Sequence, residues 1–554
     1  MSRATRPARA AAVAALLALV LAGCVSIPSS GPVNRGPRVQ SGGDSSFVTD
    51  PLGPPRNASK TELVGDFLQA ATSADGNYAV AKEFLTAKAA QSWDPTASVL
   101  VRERPASPQD IGGNAVDCAV STRASVNALG VYAEQSTDST QTLSYSFTKV
   151  RGQWRISDLP DGIVLSRTSF ENSFQPYPVY FFDPDYNYLV PDVRWFPTGT
   201  TVQDRIVKAL LAGPTDWLQQ GVVATAFPAG VKPGSPVSIT NSTATVDLSA
   251  NAASAKEPAL GRMQRQLEQS LQSIGITSVA MTARGAPLPV PDSEQSHAVP
   301  AVAANSAALL QKGRQFGFYP GLQSLGAIST QIAALEGTAV VLDHTETNAA
   351  VLAKAGVYLV TAAAPKLVDA RPNLIAPSID TFGYVWSVPS TDASAIQATG
   401  PDGVAHPISS DLAPGATIVS LDVSRDGTRV LAYLATESGP QLAVAGIVRR
   451  AGLPTSLGEL LELPVSSGQP IDATWVDPST VAALASDGGE DTVVSYLIGG
   501  SPGDPSTTEG AVRIVGGGDA NSVRLLTQSG EVQQLRASGW QSIGVVASVL
   551  ATQQ

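Results

Sequence analysis

The sequence predicts a multidomain protein: an α+β N-terminal domain, an α/β middle domain and an all-β C-terminal propeller, carried behind an export signal and a polar tether. Three observations support this. Apolar residues recur at helical spacing from Leu63 to Leu85, from Val202 to Leu211 and from Leu260 to Ile274, and strand-like runs follow each set. Beyond residue 300 that periodicity gives way to short apolar runs separated by Gly, Asp and Ser. In this last part a block of strand, acidic turn and strand repeats, with Asp380, Asp426 and Asp477 spaced 46 and 51 residues apart. That period fits a propeller blade.

At the N-terminus, Arg3, Arg6 and Arg9 precede thirteen apolar residues from Ala10 to Ala22, the layout of a secretory signal. The run is shorter than the about 20 residues a membrane-spanning helix needs. Leu21-Ala22-Gly23-Cys24 resembles the lipobox of bacterial lipoproteins. The resemblance implies cleavage between Gly23 and Cys24, which makes residues 1–23 the signal peptide, and a diacylglycerol and palmitate anchor on Cys24. It places the protein at the cell membrane, lipid-anchored on the extracytoplasmic face, with Cys24 neither a disulfide partner nor a metal ligand.

Residues 24–59 read as the tether. From 25 to 59 there are six prolines, five glycines and seven serines, too little apolar surface to offset the entropy of ordering. Its relaxed reach is about 30 Å.

The formal charge is −11, and loss of the three signal arginines leaves 33 basic against 47 acidic residues, or −14. This argues against a nucleic-acid partner and against a basic patch that would hold the body on anionic lipid. Of the two cysteines, Cys118 lies in Ala115-Val116-Asp117-Cys118-Ala119-Val120, a half-buried strand pattern in which a free thiol acts as a small apolar side chain.

The α+β domain is expected over 60–166: two amphipathic helices (Leu63 to Ala71, Tyr78 to Leu85), then strands at Val99–Glu103, Val116–Val126, Leu143–Val150 and Trp154–Ile156. The α/β domain is expected over 167–288. It has a strand at Val179–Phe182, the turn Asp183-Pro184-Asp185, a helix stopped by Gly213-Pro214, paired strands at Val237–Thr240 and Ala244–Leu248, a helical stripe from Leu260 to Ile274 and a last strand from Ile276. Pro289, Pro291 and Pro300 mark a linker over 289–314, and 315–554 forms the propeller, with five or six blades in the chain beyond residue 300. A β-sandwich would also alternate, but would not explain the repeated acidic turns.

Little in the sequence marks a chemical site. His297, His344 and His406 lie far apart in sequence with no paired-ligand spacing, so zinc lacks its ligand set. Gly499-Gly500-Ser501-Pro502-Gly503 matches the nucleophile-elbow pattern, yet Pro502 and Asp504-Pro505 deny it the helix it must open. Gly516-Gly517-Gly518 has no lysine for a phosphate loop. Asp183 with Asp185 has too few oxygens for calcium. The pair reads as a self-bonding turn, as do surface aspartates at 380, 426 and 477. No catalytic, metal or cofactor residue is assigned, and no cofactor is expected.

The order Tyr180-Phe181, Leu189-Val190-Pro191 with Arg194, Leu210 to Pro214 and Val246-Asp247-Leu248-Ser249 resembles the GerMN domain of spore-germination and envelope lipoproteins. Together with Gly23-Cys24-Val25-Ser26-Ile27-Pro28, Gly152-Gln153-Trp154-Arg155-Ile156, Leu159-Pro160-Asp161-Gly162 and the propeller, the chain resembles the LpqB family of actinobacterial lipoproteins. That resemblance implies a non-enzymatic accessory of a two-component system of the MtrAB type, acting in envelope homeostasis and cell division. The implied partner is the extracellular domain of the sensor histidine kinase. Two other classes stay open: an envelope hydrolase or lyase working from the propeller cleft, and a cell-wall glycan binder.

Overall fold

The computed structural model describes residues 52–291, 295–300, 305–465, 467–536 and 539–554. The signal peptide, Gly23, Cys24 and the tether up to residue 51 lie outside the described residues.

In the first module, Ser59 caps the helix Lys60–Ala70 through a reciprocal bond pair with Glu62, which satisfies two of the end groups a helix leaves open. Leu63, Val64, Phe67 and Ala70 turn this helix onto a sheet. The sheet order is Gln153–Asp158, Tyr132–Val150, Ala115–Asn127, Ser98–Arg102, Ile163–Ser166, with Ser107–Gly112 also paired to Ala115–Asn127. Every second residue from Val116 to Val126 is buried, as a one-faced sheet requires. Cys118 is free and fully buried, and burial pushes its thiol up to about 11, so it carries little thiolate at neutral pH.

The expected second helix is broken. Gly76, Asn77 and Tyr78 take positive φ, and the helical span ends at Lys82. Phe84 and Leu85 leave it because Phe84 O accepts from Ile156 N at 2.9 Å, which ties the segment to the sheet.

In the middle module, strands Thr243–Leu248 and Ser278–Ala283 are parallel, and helix Glu257–Leu271 crosses between them. Met263, Leu267 and Leu271 are fully buried in its core. A long hairpin, Phe174–Phe182 with Leu189–Pro197, packs against this helix. The helix also supplies it with polar partners: Ser270 Oγ accepts from Tyr180 N, while Gln266 Nε2 donates to Tyr180 O. Both side chains are buried, and each serves a backbone group that would otherwise go unpaired. Phe170 and Phe174, from the start of the region expected to form this module, join the first module's core.

The expected linker over 289–314 is only partly a linker. Val299 exchanges backbone hydrogen bonds with the Leu189 strand, accepting from Leu189 N at 2.7 Å and donating to Asn187 O at 3.2 Å. Arg265 Nε donates to Ala298 O at 3.0 Å. Farther on, Leu309–Lys312 is a propeller strand. Open backbone groups at two strand edges recruit both pieces.

The described residues of the C-terminal region form a propeller of six blades. Five are four-stranded and antiparallel, with innermost strands Ala339–Leu342, Ser378–Ile379, Thr417–Val423, Gln469–Asp477 and Ala511–Val515. The sixth is assembled from both ends of the region: Val549–Gln553 is innermost, then Leu309–Lys312, then Gln315–Phe318. Val549–Gln553 also runs parallel to Ala339–Leu342 and closes the ring, which gives the innermost strands of the first and last blades a neighbour on each side. Asp380 and Asp426 each sit in the turn between the first and second strands of a blade, and Asp477 ends the first strand of its blade just before that turn. Asp343 sits in the turn of the first four-stranded blade, accepting from Thr347 N and Asn348 N.

Candidate functional site

Two places gather polar side chains: the channel of the propeller, and the junction at which all three modules meet.

The expected surface aspartates are not all on the surface. Asp380 and Asp426 are each 2% exposed. Both bond their own turns as expected, Asp380 through Phe382 N and Tyr384 N and Asp426 through Thr428 N and Ser424 Oγ. Burial makes further partners necessary. Asp380 also accepts from Trp386 Nε1 and from Arg449. Asp426 pairs with Arg429, which is fully buried, stacks over Trp475 with Cζ 4.8 Å from the ring centre and donates to Pro478 O. Asp477 keeps the plain turn role, accepting from Ser479 N.

Deeper in the channel lies a second set that the sequence did not disclose. Asp422, on an innermost strand, accepts from Ser378 Oγ, Thr474 Oγ1, Trp475 N and Gln554 Nε2. Asp472, on the next, accepts from Ile514 N and faces Arg513 at 3.5 Å. Arg425 reaches across the mouth to Gln553 O and Gly516 O. Four successive innermost strands are thus stitched through carboxylates. The cavity at this mouth, beside Arg425, Asp426, Trp475 and Asp477, holds only about 40 Å³.

Burial raises the pKa of Asp422, more than the Trp475 amide and the nearby arginines lower it, and burial raises that of Asp472 against Arg513. A carboxyl whose folded pKa is raised gives its full stabilising share below the unfolded value, about 3.9, and loses it as pH climbs through the folded one. Asp422→Asn, which cannot ionise, should therefore flatten the fall in stability as pH rises above the unfolded value, about 3.9. Urea midpoints followed across that rise check this; a steeper fall in the variant would refute it.

The junction is organised by the hairpin. Trp195 Nε1 donates to Gly499 O of the propeller at 2.8 Å, and Trp195 N donates to Gly130 O of the first module at 2.7 Å. Its ring lies 5.6 Å from Tyr132 and 5.2 Å from Phe170. Arg194, 1% exposed, joins Leu129 O, Gly213 O and the Asp192 carboxylate, which in turn accepts from Thr215 N and Oγ1. Next to it, Trp217, Leu218 and Val222 of the middle module pack into an apolar cluster with Leu431, Tyr433, Leu442 and Val444 of the propeller. A cleft of about 280 Å³ opens here, with Tyr132, Glu134, Asp216, Trp217, Glu459 and Glu462 among its walls.

The remaining sequence candidates are placed as follows. Gly499 to Gly503 is a loop with no helix after it, and Gly499 serves as the acceptor for Trp195. Gly516 follows the strand Ala511–Val515, donates to Thr474 Oγ1 and accepts from Arg425. Asp183 is buried and accepts from Asp185 N, Asn187 N and Tyr188 N, a turn that bonds itself. His297, His344 and His406 sit in the segment after the middle module, the first four-stranded blade and the second. Among the described residues, no group of three or more His, Cys, Asp or Glu is arranged to hold a metal ion.

Three family models match the chain in order: "Lipoprotein LpqB, N-terminal domain" over residues 53–171, "Sporulation and spore germination" over 178–289, and "Lipoprotein LpqB beta-propeller domain" over 321–549. Among curated relatives, Lipoprotein LpqB of Cutibacterium acnes is 28% identical, with 90% of each chain covered. Lipoprotein LpqB of Thermobifida fusca is 27% identical, with 91% of each covered. A solved structure of the tandem GerMN domains of the sporulation protein GerM from Bacillus subtilis is 16% identical over 30% of this chain and 68% of that one, with a TM-score of 0.19.

Proposed function

The chain belongs to the LpqB family of lipoproteins, and from that membership we propose that it is a membrane-tethered accessory protein that acts by binding. The relatives' description as lipoproteins supports membrane anchoring. We assign the anchor to Cys24, with cleavage after Gly23 and diacylglycerol on the thiol, and the body to the extracytoplasmic face. The partner we assign is the extracellular domain of a membrane sensor histidine kinase of the MtrAB type, and the process is envelope homeostasis and cell division.

The observation that carries the binding role is the commitment of the channel carboxylates. Asp422 and Asp426 spend their oxygens on partners inside the chain, behind a mouth of about 40 Å³. A hydrolase or lyase working from the propeller would need such groups within reach of substrate. A tethered binder needs only surface. Its anchor confines it near membrane partners, so the effective concentration is high and a modest intrinsic affinity suffices.

Cys24→Ala tests the assignment. The variant should fold, leave the membrane fraction and lose the kinase crosslinks expected of wild-type protein in native membranes. Wild-type protein that yields no kinase crosslink, together with unchanged response-regulator phosphorylation on deletion, would refute the partner. A variant that stays wholly with membranes would refute the anchor.

A further inference from the structure

We propose that the middle module carries an anion-binding site at Arg262 that takes small ligands bearing carboxylate or phosphate oxygens. The site begins with the Asp183 turn, the same turn that lacks the oxygens for calcium. Asp183 holds the backbone of residues 185, 187 and 188 through its carboxylate and that of Tyr186 through its carbonyl, at 3.0 Å. This fixes Tyr186 at φ +63°, a left-handed conformation that a bulky side chain adopts only under constraint from its surroundings. Such strain collects where a side chain must be aimed. The Tyr186 ring is propped by Phe182, with ring centres 5.2 Å apart, and the Arg262 guanidinium lies over it with Cζ 3.8 Å from the ring centre.

Stacking occupies one face of the guanidinium and leaves its in-plane N–H fork free, the geometry that matches two oxygens of a carboxylate or phosphate. Among the described residues no carboxylate or carbonyl takes that fork. Arg265, one turn on, is instead committed to Ala298 O. Arg262 opens on a polar cavity of about 330 Å³ whose other walls include Asn187, Ser296 and His297, so a hydroxyl and an imidazole stand by to add hydrogen bonds. This volume is at the small end of ligand pockets. The whole chain carries a net charge of −11 and repels anions at long range, so any anion bound must be held by these local donors.

The test is calorimetric titration of the full chain in detergent with inorganic phosphate, N-acetylmuramic acid and the neutral N-acetylglucosamine. Phosphate, N-acetylmuramic acid or both should bind at millimolar concentration or below, and N-acetylglucosamine should not. Tighter phosphate binding points to a phosphorylated ligand and tighter N-acetylmuramic acid binding to a carboxylated wall sugar. Arg262→Gln should weaken the bound anion about tenfold or more, the worth of a charge-assisted hydrogen bond. Tyr186→Gly, which relieves the strain but removes the platform, should weaken it too, whereas Tyr186→Phe should not. No binding of either anion, equal affinity in Arg262→Gln, or binding of N-acetylglucosamine as tight as that of the anions would each overturn the proposal.

Discussion

Asp426→Ala should destabilise the propeller by about 3–5 kcal/mol, the usual cost of removing one partner from a buried ion pair. The substitution leaves the Arg429 guanidinium, fully buried over Trp475, with Pro478 O as its remaining hydrogen-bond acceptor. It also strips Ser424 Oγ and the Thr428 amide of their acceptor. Chemical denaturation measures the loss, and a change below about 1 kcal/mol would show that the pair contributes little. Replacing both partners, as Asp426→Leu with Arg429→Met, should recover part of it, because the uncompensated charge is gone. The pH dependence has a definite sign. Burial alone would raise the Asp426 pKa, but Arg429, Ser424 and Thr428 outweigh it and hold the carboxyl below its ordinary range. Its contribution is therefore present above the unfolded value, about 3.9, and is lost as pH falls through the lower folded one.

Trp217→Ala should have an effect of similar size by a different route. The ring is 8% exposed and belongs to the cluster that joins the middle module to the propeller. Truncating a buried tryptophan costs about 3–5 kcal/mol. Here the loss falls on the contact between modules, so the propeller and the middle module should unfold in more widely separated transitions than in the wild type. Fluorescence and circular dichroism melts that still coincide in the variant would refute this. The seam has no slack to take up a change: a Cβ built on Gly446 would meet Val222 side-chain atoms at 2.4–2.9 Å.

The three modules were legible in the sequence because each buries a different period. The stripe from Leu260 to Ile274 names the face of its helix, and the burial alternation from Val116 to Val126 names the face of its strand. The blades were legible through Asp380, Asp426 and Asp477 because a short acidic side chain that bonds its own turn leaves a local mark. What was missed depends on distant partners. Asp422 reads as one more strand residue until Ser378, Thr474 and Gln554 surround it. Trp217 carries no local signal of the propeller residues it meets. Aspartates at 380 and 426 were expected at the surface because a turn is normally exposed, and only the arginines from other strands or turns explain their burial. Tyr78 at positive φ breaks a helix whose apolar spacing is sound. The Asp183 turn bonds itself, as its local sequence predicts, but nothing local shows that it aims Tyr186 at Arg262.

The closing blade has a kinetic consequence. Gln311 accepts from Ser548 across 237 residues of chain, so the ring cannot shut when its first strand is made. Until residue 553 has been delivered, Leu309–Lys312 and Ala339–Leu342 each lack the neighbour that covers one edge. Contacts so far apart in sequence are slow to form, and exposed edges invite pairing with other chains. The interval between delivery of the first and last strands is therefore an aggregation-prone period, and a chaperone that shields strand edges would act there.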